Sequence, residues 1–175
     1  MRSKNRVKGA LAGMAAGLVA SYAMNQFQAG LAKLKAGAAG NGPRRDAGAP
    51  QPPPQPSGDE PATVKAALRI ARSVLGRTLR EEEKGPSGSL MHYLFGTAAG
   101  GVYGALAEKS PVARAGLGTL FGSVLWFLSD EVAVPALGLA KPAREYPASV
   151  HASALASHLV YGAATEIVRA GLRGA

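Results

Sequence analysis

Two histidine segments give this chain its clearest chemical pattern. The runs His92-Tyr-Leu-Phe-Gly96 and His158-Leu-Val-Tyr-Gly162 each place a glycine four residues after a histidine and directly after an aromatic side chain. Residues four apart on an α-helix lie on one face, a turn from each other. Each run therefore predicts a helix face that combines one ionisable imidazole with a small, close-packing residue.

Two adjacent carboxylates, Asp130 and Glu131, follow another apolar stretch. Polar groups within apolar helices are costly unless they face one another. We therefore expect His92, His158, Asp130 and Glu131 to form one polar cluster. Its secondary members would be Asn25, His151 and Glu166.

Three interpretations of this cluster are open. The imidazoles could donate hydrogen bonds to Asp130 or Asn25 and only fix how the helices align. They could instead relay protons or hold a cation. They could also ligate a metal, although the paired Glu-x-x-His units of a di-iron bundle are missing. The sequence predicts no metal, no cofactor and no enzymatic activity, because no nucleophile or phosphate-binding motif occurs outside the apolar stretches.

Four apolar stretches must position these groups. Each approaches or exceeds the roughly 20 residues with which a helix crosses a bilayer. They cover residues 9–32, 89–107, 112–129 and 149–172. With 23 glycines and few aromatic residues the chain would form a poor core in water. The predicted fold is a single all-α membrane domain, residues 1–175, with four transmembrane helices.

Glycines recur at four-residue steps inside these stretches, which lets helix backbones approach closely in lipid. The predicted packing residues are Gly13, Gly17, Gly96, Gly100, Gly118, Gly122 and Gly162. The first stretch continues to Asn25 as the third continues to Asp130, and the second and fourth share the histidine pattern. We interpret this as a duplicated helical hairpin.

The connectors differ in composition. Residues 33–61 are rich in proline and glycine and predict an extended linker. Residues 62–84 predict a basic amphipathic helix that lies in the head-group layer. That helix could instead bind a partner, with Glu81, Glu82 and Glu83 as its acidic end. Residues 130–148, which contain Pro135, predict a kinked or re-entrant connector.

The formal net charge of +9 comes from basic residues that flank the apolar stretches. This placement favours anionic lipid head groups over nucleic acid, which would need interleaved aromatic residues. With four helices both termini lie on one side, which the basic N-terminus suggests is the cytoplasm. A signal peptide in the first stretch is an alternative. The chain has no cysteine, so disulfides and thiol chemistry are excluded.

The last stretch also carries a family resemblance. The run His158-Leu-Val-Tyr-Gly-Ala-Ala-Thr-Glu166-Ile-Val-Arg169, together with the earlier His-x-x-Phe-Gly segment, resembles the YagU-like family of small bacterial inner-membrane proteins. The resemblance implies a multi-pass location in the inner membrane. It implies no reaction.

The sequence thus favours a structural or interaction protein of the bacterial inner membrane. Its glycine faces would pack against its own helices, against another copy of the chain or against a membrane-protein partner. The alternative is a proton or cation conductor that uses the His and Asp groups.

Overall fold

The computed structural model describes residues 2–38 and 60–174, and every regular element in these ranges is helical. The helices are α1 (Arg2–Ala38), α2 (Ala62–Val74), α3 (Glu81–Ala107), α4 (Thr119–Trp126), α5 (Val134–Ala136) and α6 (Ala148–Arg173). A 3-10 segment, Pro111–Gly118, precedes α4; a π-helical segment, Phe127–Ala133, joins α4 to α5; a 3-10 turn, Ala143–Glu145, precedes α6. Residues 39–59, which hold most of the predicted linker, lie outside the described residues.

Helix α1 lies between α3 and α6, while α4 packs on α6 and α2 packs on α3. Neighbouring long helices run antiparallel, because Gly9 meets Gly104 and Gly17 meets Gly96. The start of α1 and the ends of α3 and α6 therefore share one end of the bundle, which we call the terminal end. The opposite end holds α2 and the segment between α5 and α6.

The contact between α1 and α3 is made by backbone atoms. A Cβ placed on Gly13 would collide with the carbonyl oxygen of Gly100, and one placed on Gly100 would collide with that of Gly13. Gly9 meets Gly104 in the same way. The predicted glycine steps are thus the surface along which these two helices touch, because any larger residue would hold the backbones apart.

Helices α4 and α6 touch by a related pattern, but in a different alignment from the one that the sequence suggests. Gly122 faces the carbonyl oxygen of His158 as Gly17 faces that of Gly96, and Gly162 lies against Gly118 as Gly100 lies against Gly13. When the two hairpins are aligned by these contacts, His158 corresponds to Gly96, and His92 does not correspond to a histidine. The close approach of the backbones at glycine, and not the histidine pattern, determines this alignment.

The predicted surface helix over residues 62–84 is shorter in the structure. Helix α2 ends at Val74, Gly76 adopts a left-handed φ of 63°, and Glu81 begins α3. Arg77 donates to both oxygens of Glu83, at 2.8 and 3.0 Å, and the backbone N–H of Arg80 donates at 2.8 Å. These bonds hold the Glu83 carboxylate in the first turn of α3. The acidic residues that we assigned to the end of the surface helix instead begin α3, where the helix dipole favours negative charge.

Helix α3 also continues through Gly85, Pro86 and Gly88, which we expected to precede the second transmembrane helix. Pro86 is tolerated because the backbone carbonyl that it leaves unpaired, that of Glu82, lies in the exposed first turn. Gly88 is buried against α2, and a Cβ at this position would meet the side chain of Val64 at 2.5 Å. The small residue thus serves the contact between α2 and α3.

The third apolar stretch begins its helix later than predicted. Within Pro111–Gly118 the backbone is non-helical at Ala115, Gly116 and Leu117, and Gly118 has a φ of 83°. A regular helix follows from Thr119 to Trp126. Gly118 combines a left-handed backbone with contact to the carbonyl of Gly162, so only glycine fits there without strain.

Pro135 changes the end of this helix without stopping it at once. The preceding turns widen into the π-helical segment, in which the N–H of Val134 donates to the carbonyl of Ser129. A proline cannot donate to the carbonyl four residues earlier and its ring collides with that carbonyl. The wider π turn accommodates both constraints, and the helix then ends at Ala136.

Two helical stretches of the described residues are long and apolar enough to cross a membrane. They are Asn5–Gly37 and Pro111–Ala136, each with a mean hydropathy of 1.3. The first lies near the N-terminus, where a signal sequence would pass the same test of length and hydropathy. The sequence analysis thus predicts four spans, whereas hydropathy identifies two candidates among the described residues.

The glycine contact can be tested by adding a single methyl group. We expect Gly13→Ala to lower the free energy of unfolding in detergent by about 1–3 kcal/mol, because the backbones of α1 and α3 must separate. Gly30→Ala, in the same helix with open space around it, is the matched control and should not lower stability. Equal thermal unfolding midpoints of Gly13→Ala and wild type would contradict the backbone contact.

Candidate functional site

The interior of the bundle is polar to an unusual degree. The buried side chains that carry polar or charged groups are Ser21, Asn25, Gln28, Ser129, Ser157, His158, Thr165, Glu166 and Arg169. The buried apolar residues are small except for a few, such as Met24, Tyr103 and Tyr161. Polar groups therefore occupy the space that apolar side chains fill in a protein folded in water.

One polar group lies where the π-helical segment faces α6. The Nδ1 of His158 lies 3.8 Å from Oδ2 of Asp130 and 3.0 Å from the carbonyl oxygen of Ala154. Ser129 donates its hydroxyl to Oδ1 of Asp130 at 2.8 Å. His92, on α3, lies close enough to both groups to interact with them electrostatically. Three of the four predicted cluster residues thus share one electrostatic environment.

The fourth predicted residue, Glu131, points to a different partner. Its Oε1 lies 2.6 Å from Nδ1 of His151, whose Nε2 lies 3.1 Å from the carbonyl oxygen of Ala143. Adjacent residues on a helix project about 100° apart, so Asp130 and Glu131 face different neighbours. The structure therefore forms two imidazole–carboxylate pairs, His158 with Asp130 and His151 with Glu131, in place of one shared cluster.

Asn25 lies on the same side of the bundle but bonds elsewhere. Its side-chain amide donates to the hydroxyl of Tyr93 at 3.3 Å. The Nε2 of His92 is buried and has no hydrogen-bond partner among the described residues. An unpaired buried imidazole nitrogen is costly, as are the three other buried atoms without a partner among the described residues, on Gln28, Thr63 and Trp126.

In the described part of the chain no three His, Asp or Glu side chains converge closely enough to hold a metal ion. Each imidazole–carboxylate pair supplies two ligands, while a structural zinc site needs four and a catalytic one three. The chemistry that these pairs can support on their own is hydrogen bonding and proton exchange.

A second polar group lies near the terminal end, between α3 and α6. Glu166 accepts hydrogen bonds from the hydroxyl of Tyr103 at 2.8 Å and from Nε and Nη2 of Arg169 at 2.7 and 2.9 Å. All three side chains are buried. The carboxylate therefore faces the bundle interior and is satisfied on both oxygens, as a buried charge requires.

Glu108 extends this group toward the surface. It accepts hydrogen bonds from Nε and Nη2 of Arg173, at 2.8 and 3.2 Å, and lies 3.6 Å from Nη1 of Arg169. The hydrogen bonds from Arg173 hold the pKa of Glu108 below its usual value. Lys109, the next residue in sequence, projects in a different direction from Glu108, whereas Arg173 approaches Glu108 from α6.

The sequence analysis did not identify Tyr103 and Ser21. Tyr103 bonds to Glu166, and Ser21 bonds to the carbonyl of Gly17 beside the glycine contact between α1 and α3. Tyr103 is fully buried between α3 and α6, and its ring also contacts Phe121 at a centroid distance of 4.6 Å. The hydroxyl of Tyr161 donates to the carbonyl of Gly96 at 2.5 Å. The spacing of Ser21 could have predicted its position in the interface, because it lies four residues from both Gly17 and Asn25 and so shares their helix face.

Arg69 fixes the opposite end of the bundle. Its guanidinium donates to the carbonyl of Leu137 and, at 3.2 Å, to that of Gly138. These carbonyls follow the end of α5, where no further helical N–H reaches them. The surface helix α2 is thus bonded to the C-terminal end of the segment that carries Asp130.

The chain belongs to the family described as "Protein of unknown function (DUF1440)", which matches residues 32–167. The match includes α2 through most of α6 and therefore both imidazole–carboxylate pairs and Glu166. Comparison with curated proteins and with solved structures gave no match. The family assigns no activity, so function has to be argued from the geometry above.

The buried hydroxyl of Tyr103 provides a direct test of the second polar group. Tyr103→Phe removes one hydrogen bond to a charged, buried carboxylate, and we expect it to lower the free energy of unfolding by about 1.5–3 kcal/mol. Tyr22→Phe changes a half-exposed residue of α1 and should leave stability unchanged. Thermal unfolding of both variants in the same detergent measures the difference, and equal midpoints would rule out the bond.

Proposed function

We propose that this is a multi-pass protein of the bacterial inner membrane with a structural or interaction role, whose four spans are α1, α3, the helix from Thr119 to Ala136, and α6. The observation that carries the proposal is the reversed distribution of side chains. Large apolar residues point outward on every long helix, while glycine, hydroxyl and charged groups point inward. Lipid is the solvent in which this arrangement is favourable.

The outward residues illustrate the point helix by helix. Leu18 of α1, Val102 of α3, Val124 of α4 and Ile167 of α6 have 50%, 60%, 48% and 61% of their surface exposed. In water such a surface around a whole bundle would drive aggregation. Helices α3 and α6 are not among the stretches that hydropathy singles out. The buried face of α3 consists mainly of glycine, and that of α6 carries Ser157, His158, Thr165, Glu166 and Arg169.

The lengths of the helices also support four spans. Helices α1, α3 and α6 have 37, 27 and 26 residues, which at about 1.5 Å per residue exceed a hydrocarbon core of about 30 Å. The helix from Thr119 to Ala136 has the roughly 17 residues that still suffice. The similar glycine contacts of α1 with α3 and of α4 with α6 support an internal duplication. The resemblance to the YagU-like family supports the same location.

An interaction role has to use surfaces other than the glycine steps, because those are occupied by contacts within the chain. The available surfaces are the outward apolar faces and α2, whose Ile70, Val74 and Leu75 are exposed beside basic residues. We propose that α2 lies in a head-group layer that contains anionic lipids. Homo-oligomers or a membrane-protein partner would then form through the outward faces. In this proposal the protein is not an enzyme and binds no nucleic acid.

A second candidate function is proton or cation conduction. The observation in its favour is the His158–Asp130 pair, together with the unpaired Nε2 of His92 in the same environment. An ionisable imidazole beside a carboxylate inside a membrane is a common proton-transfer arrangement.

The number of spans can be tested by single-cysteine labelling, because the chain has no cysteine of its own. Four spans place Lys33→Cys and Arg144→Cys on one side of the membrane, and Lys8→Cys and Ser110→Cys on the other. We expect a membrane-impermeant maleimide to label the first pair in spheroplasts and the second pair only after permeabilisation. If α1 and the helix from Thr119 to Ala136 were the only spans, Lys33→Cys and Arg144→Cys would lie on opposite sides, and labelling of only one of them would refute the four-span proposal.

Conduction can be tested in vesicles that contain the purified chain. If the His158–Asp130 pair conducts, wild type should dissipate a proton or cation gradient, and His158→Ala and Asp130→Asn should reduce the flux to that of empty vesicles. The control is His151→Ala, which removes the other imidazole and should retain the flux. Flux of wild type equal to that of empty vesicles would exclude conduction and leave the interaction role.

A further inference from the structure

Two adjoining cavities lie at the terminal end, beside the start of α1 and the end of α3. The first is a groove of about 320 Å³, lined by Arg6, Val102, Ala105, Leu106 and Lys109. The second has about 310 Å³ and is lined by Asn5, Arg6, Glu108 and Lys109. The first is mainly apolar and the second mainly polar, and they share the two cations. Together they form one amphipathic site.

The charge of this site is positive. The side chains of Arg6 and Lys109 have no ion pair or hydrogen bond with any other described residue. Glu108, the one carboxylate that lines the site, is already bonded to Arg173 at 2.8 Å and lies 3.6 Å from Arg169. The acidic group is therefore neutralised from α6, and two cations remain available for an anion.

The apolar part of the site extends away from the cations along α3. Val102 and Leu106 are one helical turn apart, and 60% and 46% of their surfaces are exposed on the outward face. Ala105 lies between them in sequence and, as a small residue, leaves the groove open. A small soluble anion would occupy only the polar part. An amphiphile would fill both, with its charged head between the cations and a hydrocarbon chain along the groove.

We propose that this site binds one anionic phospholipid, with its phosphodiester held by Arg6 and Lys109 and an acyl chain lying against Val102, Ala105 and Leu106. The inference rests on the membrane location proposed above and adds a specific lipid position to it. Both cations belong to the end of the bundle where the chain termini lie. The bound lipid would therefore belong to the leaflet on that side, where its charge neutralises Arg6 and Lys109.

Native mass spectrometry of the full chain, released from nanodiscs that contain phosphatidylglycerol or phosphatidylcholine, tests the proposal. We expect wild type to retain one phosphatidylglycerol in preference to phosphatidylcholine. Arg6→Gln with Lys109→Gln should weaken this retention by about 25-fold, since each basic residue near a membrane surface contributes about fivefold. The matched control is Lys33→Gln with Lys141→Gln, which removes the same charge at the opposite end and should keep wild-type retention.

Two further measurements test the position of the acyl chain and the alternative that the site binds free phosphate. Ala105→Phe should reduce retention without changing the charge, because its ring fills the groove; unchanged retention would overturn the assigned position of the acyl chain. Inorganic phosphate in large excess should not displace the lipid, and displacement would show a free-phosphate site and overturn the lipid assignment. Equal retention of both lipids, or equal losses in the charge variant and its control, would refute this inference alone. A chain that purified without detergent would refute the membrane proposal itself.

Discussion

Direct contact between helix backbones is the constraint on which the rest of this structure depends. Where Gly13 meets Gly100 and Gly118 meets Gly162, carbonyl oxygens occupy the space that a side chain would need. Contacts this close fix the axial position of each helix to within a fraction of a turn. The positions of the glycines therefore set the distance between buried polar groups on facing helices, such as Tyr103 and Glu166.

The polar interior follows from this close packing. Helices that touch through glycine leave narrow spaces beside the contact, and hydroxyl groups fill them while bonding to helix carbonyls, as Ser21 bonds to Gly17 and Thr165 to Tyr161. Larger polar groups lie along the bundle on either side of the glycine contacts. Glu166 and Arg169 lie nearer the terminal end, and His158 and Asp130 lie nearer the opposite end. An unpaired buried charge is costly, and Glu166 is bonded on both oxygens. The buried side-chain atoms without a partner among the described residues are Gln28 Oε1, Thr63 Oγ1, His92 Nε2 and Trp126 Nε1. The His92 imidazole is the ionisable group in this set, which gives the conduction proposal its physical basis.

Much of this arrangement could be predicted from the sequence, because glycines at four-residue steps identify a contact face wherever a helix forms. The sequence could not show which glycine meets which, since the offset between two helices depends on the whole interface. The histidine pattern therefore suggested one alignment of the repeat and the contacts gave another. The sequence likewise suggested that Glu131 joins Asp130, because the two are adjacent. The direction of the Glu131 side chain depends on the π-helical segment, Phe127–Ala133, that precedes Pro135. The start of α3 at Glu81 was missed because proline and glycine usually end helices, and here they lie just inside one.

In the proposed arrangement, glycine contacts hold a polar interior together while the outward faces meet lipid. Helices α3 and α6 are the critical case, because their composition alone does not identify them as spans. Nitroxide labels at Val102 and Ile167 in nanodiscs, read by electron paramagnetic resonance, address it directly. We expect frequent collisions with oxygen dissolved in lipid and few with a water-soluble nickel complex at both positions. Frequent collisions with the nickel complex would contradict the four-span arrangement.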